Sequence, residues 1–239
     1  MYVNVHMILP TFTLFLEPVH PLRFSLAEFR ASLARELTEY QASAPEEAPA
    51  VKIVYRYPAI LCKQLKNDLV VIGICQGARF LYQLAEKNAE ILSGDNSCRI
   101  VSRDPEIRQD EFGITGRMVE YEILTPYLAL NQQNAKKFYD LKGKPARDAF
   151  MQKILNGHLN TLAKSLDYSS REPITCTARV RFIQERTDQG NRIVFLGKFT
   201  TNLCIPDYLG IGQSVSSGYG TIRKICAAEE SQQDSPVAP

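Results

Sequence analysis

Along the first half of the chain, segments whose apolar residues have helical spacing follow segments whose apolar residues have strand spacing. A stripe from Leu26 to Tyr40 recurs at helical intervals, and Ser25 with Glu28 forms a capping box that begins this helix. A second helix is predicted at residues 76–92. The strands predicted around them are residues 1–16, 51–66, 69–74 and 98–103. The predicted order is therefore strand, helix, strand, strand, helix, strand.

The second half repeats that order with one element missing. Its longest helix is predicted at residues 146–167, after a polar connection at 131–145. Where the second helix is due, only a helical stub at 206–209 is predicted. The predicted strands are residues 118–130, 174–186, 192–204 and 219–226.

These two orders in tandem predict an α+β protein of two ferredoxin-like (RRM-like) βαββαβ units. Each unit should have an antiparallel sheet with helices on one face and an open face that can bind a partner. We place the N-terminal unit at residues 1–115 and the C-terminal unit, with its glycine-rich loop, at 116–228. Residues 229–239 carry three acidic and no basic residues, which predicts a disordered acidic tail.

Composition restricts the function only mildly. Without the tail, the chain has 28 basic and 23 acidic residues, a balance that permits a nucleic-acid partner without requiring one. The six cysteines form no Cys-x-x-Cys pair and there are only three histidines, so we expect reduced thiols, no metal site and no cofactor. The sequence shows no signal peptide or membrane-spanning run, which predicts a cytoplasmic protein without a membrane partner.

The most distinctive segment is glycine-rich and lies just before the final strand. Glycines allow positive φ and close approach to a ligand, and successive amides can form a concave nest for phosphate oxygens. The residues assigned to RNA phosphate binding are Gly210, Gly212, Ser214, Ser216, Ser217, Gly218 and Gly220. A dinucleotide-binding fold is excluded because too little chain remains after the segment for the helix and strand that it needs. The alternative is a flexible loop in place of a lost helix.

The strand after the long helix carries a second set of candidate RNA contacts. Alternation turns Val180 and Phe182 inward, so Arg179 and Arg181 share the outer face. There they can hold an RNA stem by its phosphates, and Arg223, just after the glycine-rich segment, extends the basic track. A solvated sheet face is the alternative.

Three segments, in order along the chain, carry a family resemblance. They are residues 55–60 (YRYPAI) with Lys63, 71–74 and Gly77; residues 122–130 (EILTPYLAL) with Asn131 and Asn134; and the glycine-rich segment. Together they resemble the CRISPR-associated RAMP proteins, and in particular the endoribonucleases that process precursor CRISPR RNA. The resemblance extends from about Phe24 to Ile225.

The resemblance implies metal-independent cleavage of CRISPR repeat RNA. A 2′-hydroxyl attacks the adjacent phosphate and leaves 2′,3′-cyclic phosphate and 5′-hydroxyl ends. It also implies a catalytic histidine in the loop after the first helix, but residues 41–50 contain none. We therefore assign catalysis to His20, Tyr55 and Lys52 and an RNA contact to Lys63, all near the position that the resemblance implies. An exposed turn histidine, packed tyrosines and solvated lysines are the alternatives.

The missing histidine leaves three hypotheses open. The chain is an endoribonuclease with a slow or relocated catalyst, a non-catalytic subunit that binds CRISPR RNA, or a structural ferredoxin-like protein without nucleic acid. The partners implied are precursor CRISPR RNA, a CRISPR effector complex and a second copy of the chain. His158 shares a helical stripe with Phe150, Ile154 and Leu162, which predicts that it packs in the core.

Overall fold

The computed structural model describes most of the chain between residues 6 and 225. The described residues are 6–18, 26–43, 57–65, 68–87, 90–93, 96–103, 106–187 and 190–225. Predictions for residues 51–56 and for the tail at 229–239 therefore lie outside the described residues, as do the candidate catalysts His20, Tyr55 and Lys52.

The N-terminal half has the predicted order and adds one strand. Its elements are β1 (Met7–Pro18), α1 (Leu26–Ser43), β2 (Ile60–Leu65), β3 (Asp68–Ile74), α2 (Gln76–Lys87), β4 (Glu90–Ser93) and β5 (Asn96–Arg103). The predicted helix at 76–92 was too long, because α2 ends at Lys87 and β4 forms a hairpin with β5.

The C-terminal half carries the longest strand and helix of the described chain. Its elements are β6 (Arg108–Tyr127), α3 (Gln132–Asp140), α4 (Lys144–Ser165), β7 (Cys176–Thr187), β8 (Gly190–Cys204) and β9 (Ile222–Lys224). Helix α3 begins at the Asn131 side chain, which accepts the backbone N–H of Asn134 at 2.8 Å. The stub predicted at 206–209 is wrong, since the short 3₁₀ helix lies at Val215–Ser217 inside the glycine-rich segment.

Strand β6 joins the two halves. Every strand pair is antiparallel, and the main path through the sheet is β2-β3-β1-β6-β8-β7. The first residues of β6 pair with β1, and from Gly113 onward it pairs with β8 and β9. The strand predicted to begin at residue 118 begins at Arg108, and β6 runs across the predicted boundary at 115/116. That boundary stays a prediction, whereas the α+β class and the antiparallel sheets are confirmed.

Two hydrophobic cores lie on opposite faces of the N-terminal strands. The smaller core lies between these strands and the helices α1 and α2, where Phe29, Leu33 and Leu81 are buried. The larger core joins α4 to the C-terminal strands and also takes in Leu61 and Ile72. Each fully buried leucine contributes about 2 kcal/mol. The predicted open face of the N-terminal sheet is therefore largely covered, because its apolar side chains pack against the C-terminal half.

The part of the chain that the structure describes shows neither a metal cluster nor a membrane helix. It contains no group of three or more histidine, cysteine, aspartate or glutamate side chains able to hold a metal ion. No described helix has the length and apolar character needed to span a bilayer.

Candidate functional site

The glycine-rich loop, residues 209–221, folds tightly against the larger core. Gly212 has φ +85° and Gly220 has φ +64°, a backbone conformation that side chains disfavour. A Cβ at Gly220 would overlap the carbonyl oxygen of Ile211, and one at Gly212 would overlap the ring of Tyr127. The loop therefore needs glycine at both positions. The loop also closes on Thr221 through a bridge from Gly210.

Side chains distant in the sequence satisfy several polar backbone groups of this loop. The Tyr57 hydroxyl accepts the N–H of Gly210 at 2.7 Å and lies 2.9 Å from its carbonyl oxygen, to which it donates. The Thr125 hydroxyl donates to the Gly218 carbonyl at 2.7 Å and accepts the N–H of Thr221 at 2.9 Å. Burial raises the pKa of Tyr57, so its hydroxyl keeps the proton that this pairing uses.

Lys63 lies directly beneath the loop. Its relative exposure is 0%, and its Nζ donates to the Val215 carbonyl at 2.9 Å. Burial lowers the pKa of Lys63 to about 7, because a charged ammonium loses its hydration in the protein interior. The alternative of a solvated strand lysine is therefore wrong. Lys63 positions the loop from below, and its direct contact with RNA stays a prediction.

Arg30 of α1 contacts the outer side of the loop. Its Nη1 donates to the Ser216 hydroxyl at 2.9 Å and to the Ser217 hydroxyl at 3.1 Å. A guanidinium group therefore stands beside two of the serines assigned to phosphate binding, which gives this side of the loop a positive charge suited to an anionic ligand.

A cavity of about 600 Å³ opens on the other side of the loop, against α4; we call it the loop cavity. Gly210, Gly212 and Val215 form one wall, and His158 and Lys164 of α4 form another. The loop cavity is large enough for a nucleotide, and it brings loop backbone, a histidine and a lysine around one space.

His158 is held in a fixed orientation at the edge of this cavity. Its Nδ1 lies 2.6 Å from the Tyr127 hydroxyl, and the two rings meet edge to face at 5.7 Å. Burial lowers the pKa of His158 and raises that of Tyr127. At neutral pH the imidazole is therefore uncharged, and it can take part in proton transfer.

The sequence did not single out His158 as a site residue, because it shares a helical stripe with Phe150, Ile154 and Leu162 and was predicted to pack in the core. The buried residues of α4 are Met151, Leu155, Leu159, Leu162 and Ala163. His158 lies beside them, half-buried, and its ring packs edge to face on Tyr127 of the larger core. No local pattern distinguishes a histidine at the edge of a stripe from one inside it.

The predicted arginines lie on the opposite face of the C-terminal sheet. Arg179 pairs in register with Lys198, Lys198 with Glu122, and Glu122 with Arg223, so one row crosses four strands. Arg179 and Lys198 are exposed, and Arg223 Nη2 lies 3.6 Å from Glu122 Oε2. Arg181 is also exposed, one position further along the same face of β7. The row carries three cations and one anion, and it is separate from the loop cavity.

Comparisons by sequence find one family over both halves. The model of the Cas6b N-terminal domain matches residues 7–111, and the model of the Cas6b C-terminal domain matches residues 113–225. The uncharacterized protein MJ0978 of Methanocaldococcus jannaschii is 31% identical over 133 residues, which cover 53% of this chain and 86% of that protein.

Solved structures agree with the sequence comparisons. A crystal structure of Cas6b is 26% identical, with a TM-score of 0.68 over 92% of this chain and 100% of the other. A crystal structure of the CRISPR RNA processing endoribonuclease Cas6b has the same identity and coverage and a TM-score of 0.64. A Cas6 product complex, 14% identical with a TM-score of 0.53 over 92% of this chain and 100% of that one, shares the fold. The ferredoxin-like prediction is thus confirmed, and the chain belongs to the Cas6b family.

Proposed function

We propose that this chain is a metal-independent endoribonuclease that cleaves CRISPR repeat RNA. The 2′-oxygen forms a bond to the adjacent phosphorus while the bond from phosphorus to the 5′-oxygen breaks. One proton leaves the 2′-hydroxyl and one is added to the departing 5′-oxygen. The products are a 2′,3′-cyclic phosphate and a 5′-hydroxyl end.

The observation that carries this proposal is the loop cavity, in which glycine-rich backbone faces His158. The reaction needs a held phosphate, a group that moves a proton, and donors for the charge that develops on the phosphate oxygens. We assign the first and third tasks to the loop and to Lys164, and the second to His158. Tyr127 would orient the imidazole through Nδ1.

The catalysts assigned from the sequence remain part of the proposal. His20, Tyr55 and Lys52 lie outside the described residues, so His158 is a described candidate beside them rather than their replacement. Tyr55 and Lys52 come shortly before Tyr57 in the chain, and Tyr57 lines the loop cavity.

RNA binding is assigned to two surfaces. The sequence assigned the phosphate at the cleavage site to Gly210, Gly212, Gly218, Gly220 and the serines between them. The backbone amides of Gly210, Gly218 and Gly220 already donate within the protein, so the phosphate would lie at Gly212 and the serines. Another part of the RNA would lie along Arg179, Arg181, Lys198 and Arg223, where exposed cations stand on one sheet face. Arg179 and Lys198 face each other directly, an arrangement that like charges disfavour and that an anionic partner relieves.

A second function is favoured by one observation: residues 41–50 contain no histidine. In this alternative the chain holds CRISPR RNA within an effector complex and does not cut it. Membership of such a complex, self-association and a cytoplasmic location are predictions under either function.

One experiment separates the two functions. The protein is incubated in EDTA with RNA of the repeat from its own genome, and the products are analysed for end groups. Cleavage to a cyclic phosphate, blocked by a 2′-deoxy substitution at the cleaved position, supports the endoribonuclease. Tight binding with intact RNA supports the binding subunit, and the absence of salt-sensitive binding contradicts both.

A further inference from the structure

A second large cavity lies at the other end of α4. It has a volume of about 730 Å³ and is formed by α3, the first two turns of α4, and the strands β7 and β8. We call it the aromatic cavity. The residues that carry the inference are Phe138, Tyr139, Lys142, Lys144, Arg147 and Phe182.

The walls of this cavity are aromatic, and part of their surface is exposed. Phe138 is buried and meets Phe182 edge to face at 5.5 Å and Phe195 at 5.6 Å. Phe182 is 43% exposed and Tyr139 is 52% exposed. Of the large hydrophobic side chains that the described residues leave exposed, these two are aromatic, and both line this cavity. Their ring surfaces are therefore available for a flat ligand to stack on.

Arg147 is fixed among these rings without an acidic partner. Its Nε donates to the Leu141 carbonyl at 3.2 Å, and its Cζ lies 5.3 Å from the centre of the Phe138 ring and 5.9 Å from that of Phe182. Within the described ranges no carboxylate forms an ion pair with it. Its Nη groups are therefore available to an external anion. A half-buried guanidinium is stabilised by such a partner, because burial has removed part of its hydration.

The rim of the aromatic cavity is basic on balance. Lys142, Lys144 and Arg147 contribute three cations, and Asp140 and Asp148 contribute two carboxylates. A ligand with a planar ring and a negative charge complements both the walls and the rim. A nucleotide has both parts, whereas an acidic peptide would leave the exposed ring faces unused.

We infer that the aromatic cavity binds an unpaired nucleotide of the RNA, with its base against Phe182 and its phosphate on Arg147 and the neighbouring lysines. The identity of the polymer rests on the proposed function. Stacking tolerates any base, because every base has a flat π face. Arg147 and Thr161, one residue from each cavity, are 14 positions apart on α4, which at 1.5 Å per residue is about 20 Å. The RNA would therefore run along α4 away from the loop cavity.

Photochemical crosslinking tests the contact directly. A short oligouridine containing 5-iodouridine is bound to the wild-type protein and irradiated, and crosslinked peptides are identified by mass spectrometry. We expect crosslinks to Phe182 or Tyr139. Crosslinks confined to the glycine-rich loop and to the row of Arg179, Lys198, Glu122 and Arg223 would overturn the inference.

Variant proteins test the energetic part. Phe182→Ala should weaken binding of the same oligouridine about tenfold, the range seen when one stacking ring is lost, and Phe182→Tyr should restore it. Met118→Ala is the matched control, because Met118 is 51% exposed on β6 outside the cavity. Equal affinity of Phe182→Ala and wild type, with folding verified by urea unfolding, would contradict the inference.

Failure of this inference can be told apart from failure of the proposed function. If the protein cleaves repeat RNA but shows neither the crosslink nor the Phe182 effect, the cavity does not bind RNA and the endoribonuclease stands. If the crosslink forms and repeat RNA stays intact, the nucleotide site stands and the cleavage proposal is wrong. An acidic peptide that competes equally for wild type and Phe182→Ala would also overturn the stacking arrangement.

Discussion

The two halves differ most in the segment that comes after their central β-hairpin. After β3 the N-terminal half forms α2, which buries Ala78, Leu81 and Ala85 and pairs its backbone groups within the helix. After β8 the C-terminal half forms the glycine-rich loop, with a single turn of 3₁₀ helix. Besides backbone hydrogen bonds, the loop uses the side chains of Tyr57, Lys63 and Thr125, which are distant in the sequence. A helix is stabilised by hydrogen bonds within its own backbone, whereas the loop also depends on side chains from elsewhere in the chain. Substitutions of those side chains can therefore change the conformation and the charge of the loop.

The largest expected effect is on the free energy of unfolding, when a side chain is introduced at a loop glycine with positive φ. Gly220→Ala should lower the free energy of unfolding by about 3 kcal/mol, because the new Cβ meets the Ile211 carbonyl and the φ of +64° is strained. Urea unfolding measures this change. Gly157→Ala is the control, since the space around Gly157 in α4 is open, and it should stabilise by about 1 kcal/mol. If Gly220→Ala and Gly157→Ala changed the free energy of unfolding equally, the loop would not require glycine more than the helix does.

The second effect concerns the histidine that faces the loop. His158→Ala should slow cleavage of repeat RNA by about a hundredfold, the lower range for loss of general acid–base catalysis. Burial lowers the pKa of His158, so a role as base predicts a wild-type rate that is level around neutral pH and falls only on acidification. Single-turnover rates measured against pH test both points. His6→Ala, a histidine outside the loop cavity, is the control, and an equal loss in both variants would remove His158 from the reaction.

The third effect concerns the lysine under the loop. In the unfolded chain Lys63 holds its proton up to a pKa of 10.5, whereas burial lowers the pKa in the folded protein to about 7. Between these values the unfolded chain binds more protons, so stability rises with pH, by about 1 kcal/mol between pH 7 and 8. Urea unfolding of wild type and Lys63→Met at both values tests this. Lys63→Met should lack this contribution, and a variant with the same rise as wild type would show that Lys63 does not titrate there.

The smallest expected effect concerns the contact of α1 with the loop. Arg30→Gln should weaken RNA binding about threefold and reduce the slope of log affinity against log salt by roughly one phosphate contact. Fluorescence anisotropy at several salt concentrations measures both quantities. Arg35→Gln provides the comparison, because Arg35 is exposed on the same helix. If the slope of log affinity against log salt were unchanged in Arg30→Gln, the Arg30 guanidinium would contact only the two serines and no RNA phosphate.

Much of the fold could be predicted from the sequence because its elements have clear periods. Helix α2 and the hairpin of β7 and β8 were found by spacing alone, with errors at their ends. The start of β6 was missed because polar residues at 108–111 resemble a loop, although Phe112 and Ile114 are buried just beyond them. A strand that pairs with a partner about a hundred residues away leaves no local signal of that pairing.

The candidate site could be predicted only in part, for a similar reason. Glycines and serines mark the loop locally, so its position was clear. Its supports are far away in sequence: Tyr57 lies 153 positions from Gly210, and Lys63 lies 152 from Val215. Only the folded chain brings them under the loop, and only there does His158 become a neighbour of the glycines.

The shared strand β6 has a consequence for how the protein loses its structure. Its hydrogen bonds run to β1 at one end and to β8 and β9 at the other. Unfolding of either half removes strand pairing from β6, which also belongs to the sheet of the other half. We therefore expect both halves to unfold in a single cooperative transition. If the chain were cleaved in the middle of β6, each of the two fragments would have an unpaired strand edge, which promotes aggregation.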